Sequence, residues 1–288
     1  MLGKIPAARL ALIEKIVKSA PRRTAAGRGL EVDFLRAFFR GVAEEDLRMH
    51  RPGDLAAAAL AHLELGKSRK GSRVLVDLGP PLAGGGVVAA HRAIVRVVAP
   101  DMPFLVESIA MVFSEMNIAV HLIVHPVLNV RRDARGTLRA VSADVRGTRP
   151  ESWQFLEIDR PRDAAQAREL LRRLNRALDD VHKAVRDFPR MLERVRAVAH
   201  DLESAPTPVP QSHVAEARAL LTWMHDGHFV FLGYRYYQLK RGRARDALVR
   251  DADSGLGILR SGPQRKPPAP IVLTGHLRRQ ARMPTCCC

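Results

Sequence analysis

The stretch from Ile94 to Gly136 limits what this chain can fold into more than any other part of its 288 residues. Ile94-Val-Arg-Val-Val-Ala99 alternates and is rich in β-branched residues, which predicts a strand, and Pro100 stops it. Asp101 is placed to cap a following helix, with Pro103 in the first turn, where a missing N–H costs nothing. Phe104, Leu105, Ile109, Val112, Phe113 and Met116 recur at helical spacing and form an apolar stripe. A second strand is expected from Ile118 to Val130. Arg131-Arg-Asp-Ala-Arg-Gly136 then turns the chain into Thr137-Leu-Arg-Ala-Val141. Strand, helix, strand and turn in this order predict an α+β unit.

The flanking sequence adds helices on both sides. Leu10, Ile13, Ile16 and Val17 lie on one stripe of a helix from Lys4 to Ser19. A second helix is expected from Val32 to Gly41, carrying Phe34, Leu35, Phe38 and Phe39, followed by an acidic turn at Glu44-Glu-Asp46. Asp54 reads as the cap of a third helix, Leu55 to Leu65, ended by Gly66. Lys67 to Arg73 is a basic loop, and Val74 to Leu78 a short strand. Further on, Trp153, Phe155 and Glu157 alternate with Gln154, Leu156 and Ile158 on the two faces of a strand. A long helix follows from Asp163 to Phe188, with Leu170, Leu171, Leu174, Leu178, Val181 and Val185 as its stripe. Pro189 interrupts it, and another helix runs to Glu203.

Ala205-Pro-Thr-Pro-Val-Pro210 is a stiff linker and the best domain boundary. Beyond it come a helix from Val214 to His225, a turn at Asp226-Gly227 and a strand from Phe229 to Tyr237, with Phe229 and Phe231 on a core face. The organisation expected is a helical lead over 1–73, an α+β module over 74–204, the linker over 205–210, the start of a second module over 211–274, and a patternless tail over 275–288.

Composition excludes more than it assigns. No apolar run reaches the roughly 20 residues needed to cross a bilayer, and no signal peptide opens the chain, so a cytoplasmic protein is expected. The only cysteines are Cys286 to Cys288, which rules out a disulfide framework or a spaced metal motif. Net charge is +17, but +8 of it lies from Lys240 onward, so the charge is partly a property of the tail and nucleic acid is not the expected partner. Gly84-Gly85-Gly86-Val87-Val88-Ala89 has the form of a dinucleotide fingerprint. It stands too close to the strand at Ile94 to leave room for a crossover helix, and is rejected.

Few residues suggest chemistry. His121 and His125 would be neighbours on a helix, but on a strand four residues span about 13 Å, too far to share one metal ion. His225, Asp226 and His228 surround a turn with no nucleophile beside them. The residues alone describe a binding or regulatory module.

Several phrases of the sequence resemble one family. Asp101-Met-Pro-Phe-Leu-Val-Glu-Ser108, His121-Leu-Ile-Val-His-Pro126, Arg132-Asp133 with Gly136, Glu151-Ser-Trp153, Phe231-Leu-Gly-Tyr-Arg235 and Gly255-Leu-Gly-Ile-Leu-Arg260 look like the N-terminal region of the large bacterial NAD-specific glutamate dehydrogenases. The resemblance implies an ACT-like, ferredoxin-like βαββαβ module of regulatory or architectural role. The chain it implies is several times longer, oxidises glutamate to 2-oxoglutarate with NAD, and carries its nucleotide domain and catalytic residues elsewhere. No catalytic, cofactor-binding or metal-binding residue is therefore carried over, and NAD is expected in the full-length family only.

The expected ACT-like cleft or interface comprises Asp101, Pro103, Phe104, His121 and His125. Partners implied are further copies, joined through ACT-like sheets or helices, and an amino-acid effector. A ligand-binding ACT domain has glycine where Phe104 stands, and a Phe side chain there crowds a ligand. Past Thr274 the sequence departs from the family, which suggests a truncated reading frame. Rival expectations are a free-standing amino-acid-binding module and a basic nucleic-acid-binding protein.

Overall fold

The computed structural model describes residues 6–21, 25–82, 91–142, 146–204, 210–243, 245–260 and 269–281. The chain divides into two compact units, Met1–Asp179 and Asp180–Cys288. The Gly84–Ala89 motif, most of the 205–210 linker and Cys286–Cys288 lie outside the described residues.

The first unit begins with helices α1 (Ala7–Ser19), α2 (Ala25–Phe39), α3 (Glu44–Arg48) and α4 (Pro52–Gly66). Three of these differ from the sequence reading. The second helix starts seven residues before Val32. In the third, Asp54 does not cap: Arg51 is at the cap and Pro52 opens the first turn, where proline's fixed φ favours a helix start. The expected acidic turn at Glu44 is the short helix α3.

The sheet is antiparallel and six-stranded: β1 (Leu75–Gly79), β2 (Arg92–Pro100), β3 (Val120–Val124), β4 (Val127–Arg132), β5 (Leu138–Ser142) and β6 (Arg149–Asp159). Its order is β1-β2-β6-β4-β5, with β3 also paired to β6. An α+β architecture is thus what the chain adopts. The strand beside β2 is β1, which precedes it in sequence; in a βαββαβ order that place is filled by the last strand. The single strand expected from Ile118 to Val130 is divided in two at His125-Pro126, because Pro126 cannot donate to a ladder while its carbonyl accepts from Trp153 N at 3.0 Å.

Alternation along β6 separates two buried layers. Trp153 and Phe155 join Phe34, Phe38, Leu60, Leu63, Ile94 and Val98 in one core between sheet and helices, so the helical lead and the sheet share an interior. Gly66 is the close-packing point: a Cβ there would overlap the Trp153 ring. On the other face Val95, Val97, Gln154, Leu156 and Ile158 are equally buried. Ile109 and Phe113 of α5 (Leu105–Glu115) and Leu170 and Leu174 at the start of α6 (Ala164–Ser204) are also buried and lie outside the first core, as a second layer requires. Helix α5 ends with Asn117 at φ 52, Ile118 N bonding Phe113 O at 2.9 Å and Asn117 N bonding Ser114 O at 3.1 Å, a left-handed cap that turns the chain into β3.

Helix α6 is continuous through Pro189, contrary to the expected break. Proline removes a hydrogen-bond donor and crowds the preceding turn, but apolar contacts on both sides, including buried Ala184 and Met191, outweigh that local cost.

In the second unit, buried Asp187 accepts from Gly257 N at 2.9 Å and from both forks of Arg260 at 2.6 and 2.8 Å. This ties helix α6 to the paired strands β7 (Gly233–Tyr234) and β10 (Leu256–Gly257). Helix α7 (Gln211–Trp223), a wide turn Met224–His228, a sheet of β8 (Tyr237–Lys240), β9 (Ala247–Arg250) and β11 (Ile271–Val272), and helix α8 (Gly275–Ala281) complete it. The strand expected from Phe229 to Tyr237 is only partly formed. Phe229 is 44% exposed and packs against Phe231 at 5.0 Å, so it is not on a core face; pairing is confined to Gly233–Tyr234 with β10 and Tyr237 with β9, and no strand pairs with residues 229–231 among the described residues.

Candidate functional site

The five residues singled out in the sequence spread along the sheet. Asp101, Pro103 and Phe104 follow the end of β2, where Pro100 pairs with Glu151. His121 sits near the opposite end, where Arg92 pairs with Asp159. The eight residue steps from Arg92 to Pro100 along β2 span about 26 Å. His121 Nε2 lies 2.7 Å from Asp159 Oδ1, and Arg92 stands 3.7 Å from the same oxygen. His125 is exposed at the break between β3 and β4. The Asp101 loop is thus grouped together, and the two histidines are separate from it and from each other.

Asp101 does not cap helix α5. Its backbone N–H instead extends the ladder to Pro150 O at 3.1 Å, and the helix starts at Leu105. The capping position belongs to Phe104, held at φ 68 and ψ 10, a left-handed conformation that costs a non-glycine residue about 1–2 kcal/mol. Its ring is 46% exposed, so burial does little to offset that strain.

The most tightly built polar site lies beside this loop. Glu151, 1% exposed, opens the buried run of β6. Arg132 grips it with two bonds, Nε to Oε1 at 2.7 Å and Nη2 to Oε2 at 2.8 Å, and Arg69 adds Nη2 to Oε1 at 2.6 Å. Burial alone raises the Glu151 pKa, but the bonds from Arg132 and Arg69 outweigh that and hold the carboxyl below its ordinary value. Each arginine also donates to nearby backbone: Arg69 to the carbonyls of Gly71 and Arg73, Arg132 to that of Gly136.

Gly136 is at φ 84, and a Cβ there would collide with the Arg69 carbonyl, so this turn needs glycine twice over. Sequence reading noted Arg132, Gly136 and Glu151 as separate phrases and passed over Arg69. An acid leading an otherwise apolar strand was the available signal. Chemically the site is closed: each Glu151 oxygen is engaged by a guanidinium, and the group is positioned to hold structure.

A groove of about 530 Å³ opens between α1, α2 and strands β4 and β5. Its floor is apolar, with Ile13, Leu128 and Val141, and its rim carries Asp33, Arg40 and the Glu14–Arg36 pair, bonded at 2.7 and 3.1 Å. In the second unit His225 is bracketed by Asp226 at 3.2 Å and Arg196 at 3.3 Å. Arginine only donates, so Nε2 accepts from Arg196 and Nδ1 donates to Asp226, and both ring nitrogens are engaged within the turn. Among the described residues no group of three or more His, Cys, Asp or Glu could hold a metal ion, and no helix is long and apolar enough to cross a membrane. β1 and β2, which flank the Gly84–Ala89 motif, pair antiparallel, whereas a dinucleotide fingerprint joins parallel strands.

Residues 34–174 match the family model of the glutamate dehydrogenase ACT1 domain. The chain carries a glutamate dehydrogenase ACT1 domain. That range runs from Phe34 of α2 to Leu174 of α6, and so includes the whole six-stranded sheet. The chain is 32% identical over 231 residues to the NAD-specific glutamate dehydrogenase of Pseudomonas aeruginosa, covering 79% of this chain and 14% of that protein. It is 32% identical over 260 residues to that of Halomonas elongata, covering 88% and 16%, and 28% identical over 231 residues to that of Mycobacterium tuberculosis, covering 75% and 13%. The ACT1 domain and its flanks therefore span less than one-sixth of the first relatives' length. In this setting the Arg69–Glu151–Arg132 group is part of the ACT1 domain's own framework.

Proposed function

We propose that this chain is a non-catalytic regulatory or architectural portion of an NAD-dependent glutamate dehydrogenase. One observation carries the reading: Arg132, Glu151 and Trp153, three of the residues through which the chain resembles those enzymes, are committed internally. Arg132 and Glu151 hold each other, and Trp153 is buried against Phe34. Residues spent on a closed framework support a role in positioning or assembling a larger enzyme, with chemistry supplied elsewhere. On this reading the family reaction is oxidation of glutamate with NAD, the setting is the cytoplasm, and further copies associate through the sheet or its helices.

The test has two arms. The purified chain should give no glutamate-dependent reduction of NAD. In a dehydrogenase of the long class, deleting the region that matches 34–174 should change subunit assembly or the response of KM to effectors. Turnover by the isolated chain, or unchanged assembly and kinetics after deletion, overturns the reading.

A second reading, binding of an amino-acid effector, is favoured by the groove. Two acids and two guanidiniums above an apolar floor suit a zwitterion with an apolar side chain. The Asp101 loop suits it less well, because Phe104 occupies the left-handed position where glycine would let a ligand approach. Calorimetry with a panel of amino acids, using Arg40→Gln as the comparison, separates the two places.

A further inference from the structure

Two basic segments far apart in sequence meet at one corner of the first unit. Lys67–Arg73 leaves α4, and Arg131–Arg139 forms the turn between β4 and β5. Their backbones are tied together: Arg69 N donates to Gly136 O at 3.0 Å, Leu138 N donates to Lys67 O at 2.8 Å, and Ser68 bridges Thr137. The absence of a side chain at Gly136 lets Lys70 come close; a Cβ would stand 3.2 Å from Lys70 Cα.

Each acid that reaches this corner is already engaged. Glu151 is held by Arg69 and Arg132, Asp133 by Arg139 at 2.6 Å, and Glu64 by Lys67 at 2.5 Å. Lys70, Arg73, Arg131 and Arg135 are exposed, and among the described residues none of the four has a salt-bridge partner. The fold therefore holds like charges together through backbone bonds and a buried framework, a repulsion that binding an anion would relieve.

We propose that this corner is a docking surface for an acidic polypeptide segment, a run of aspartate or glutamate side chains. Carboxylate is the chemistry the corner already binds, with planar guanidinium forks as its main tool. Neither segment contains an aromatic residue on which a base could stack, so a nucleic-acid strand gains only backbone attraction here. Exposed ion pairs contribute little singly, so binding depends on several at once and weakens as salt screens them.

The test is fluorescence anisotropy of a labelled oligoglutamate peptide titrated with the full chain at low and physiological salt. Saturable binding is expected, weaker at the higher salt. The double variant Lys70→Glu, Arg135→Glu should lose about tenfold or more in affinity, equivalent to about 1.4 kcal/mol. Arg190→Glu with Arg194→Glu, the same change in charge at exposed positions on α6, should leave it nearly unchanged. Circular dichroism checks folding, and Arg73→Glu with Arg131→Glu gives an independent reading should the first pair misfold. Equal weakening by the α6 pair would reduce the effect to net charge and overturn the proposal. So would the absence of saturable binding, or tighter binding of oligothymidylate with the same dependence on Lys70 and Arg135, which would assign the corner to nucleic acid.

Discussion

Nε2 of His62 lies 3.1 Å from the carbonyl oxygen of Val97, a bond that fastens helix α4 to the central strand β2 in the middle of the core. The imidazole is fully buried, between Phe38 and Trp153, with ring centroids at 5.6 and 5.2 Å. Nε2 must carry the proton to donate to Val97, while Nδ1 is buried without a partner for a second proton, and burial keeps the ring neutral. Burial lowers its pKa from 6.5 to about 3, against a smaller opposing effect of the Val97 bond.

Acid should therefore weaken the fold early. The unfolded chain takes up a proton at His62 near pH 6.5 while the folded chain resists until about pH 3. The stabilisation is complete above pH 6.5 and is lost as pH falls below it, amounting to about 2–3 kcal/mol by pH 4.5. Urea unfolding at stepped pH measures this. His62→Leu lowers stability at neutral pH but should flatten the slope between pH 6.5 and 5, where carboxylates contribute least. An unchanged slope in the variant would show that His62 is not the group responsible.

Glu151→Gln should cost about 3–5 kcal/mol, the range found when one member of a buried ion pair is removed. Two arginines would then be left at one buried place with no negative charge. Because the Glu151 pKa is lowered in the folded state, its stabilisation is present above the ordinary carboxylate range and lost as pH falls through the lowered value. Denaturant titration checks both statements, and a loss below 1 kcal/mol would count against a structural role for the group.

Gly66→Ala should destabilise by about 1–3 kcal/mol despite alanine's better helix propensity, because the added methyl overlaps the Trp153 ring. The emission of buried Trp153 should shift as the ring moves; Trp223, the chain's other tryptophan, is half-exposed and can be removed to isolate the signal. A variant with the parent's melting temperature would show that the packing there is loose.

Phe104→Gly should be nearly neutral, within about 1 kcal/mol, since relief of left-handed strain offsets glycine's added freedom in the unfolded chain. A buried phenylalanine replaced by a small residue costs about 3–5 kcal/mol. Thermal melts decide, and a loss in that higher range would mean the Phe104 ring is packed more deeply than its exposure indicates.

The elements were largely legible because their apolar periodicity was strong. Phe34, Leu35, Phe38 and Phe39 fall on the buried face of α2, and Trp153 and Phe155 point away from Leu156 and Ile158, as spacing requires. Boundaries were less legible. Asp101 and Asp54 have the chemistry of helix caps, but Asp101 extends a β-ladder and Asp54 lies inside a helix that proline had already started. The candidate residues were found one by one: their separation along β2 depends on register, which no local pattern encodes.

What the sequence by itself determined is the kind of fold and the family: alternating and helical periodicities are local, and the phrases shared with the dehydrogenases are read directly from residue order. Only the tertiary structure decided that β1 takes the place beside β2, that Arg69 reaches across 82 residues to Glu151, and that two basic segments share one corner. These depend on which strands pair and on which buried charge finds a partner. Both are set by the free energy of the whole core, to which residues distant in sequence contribute together.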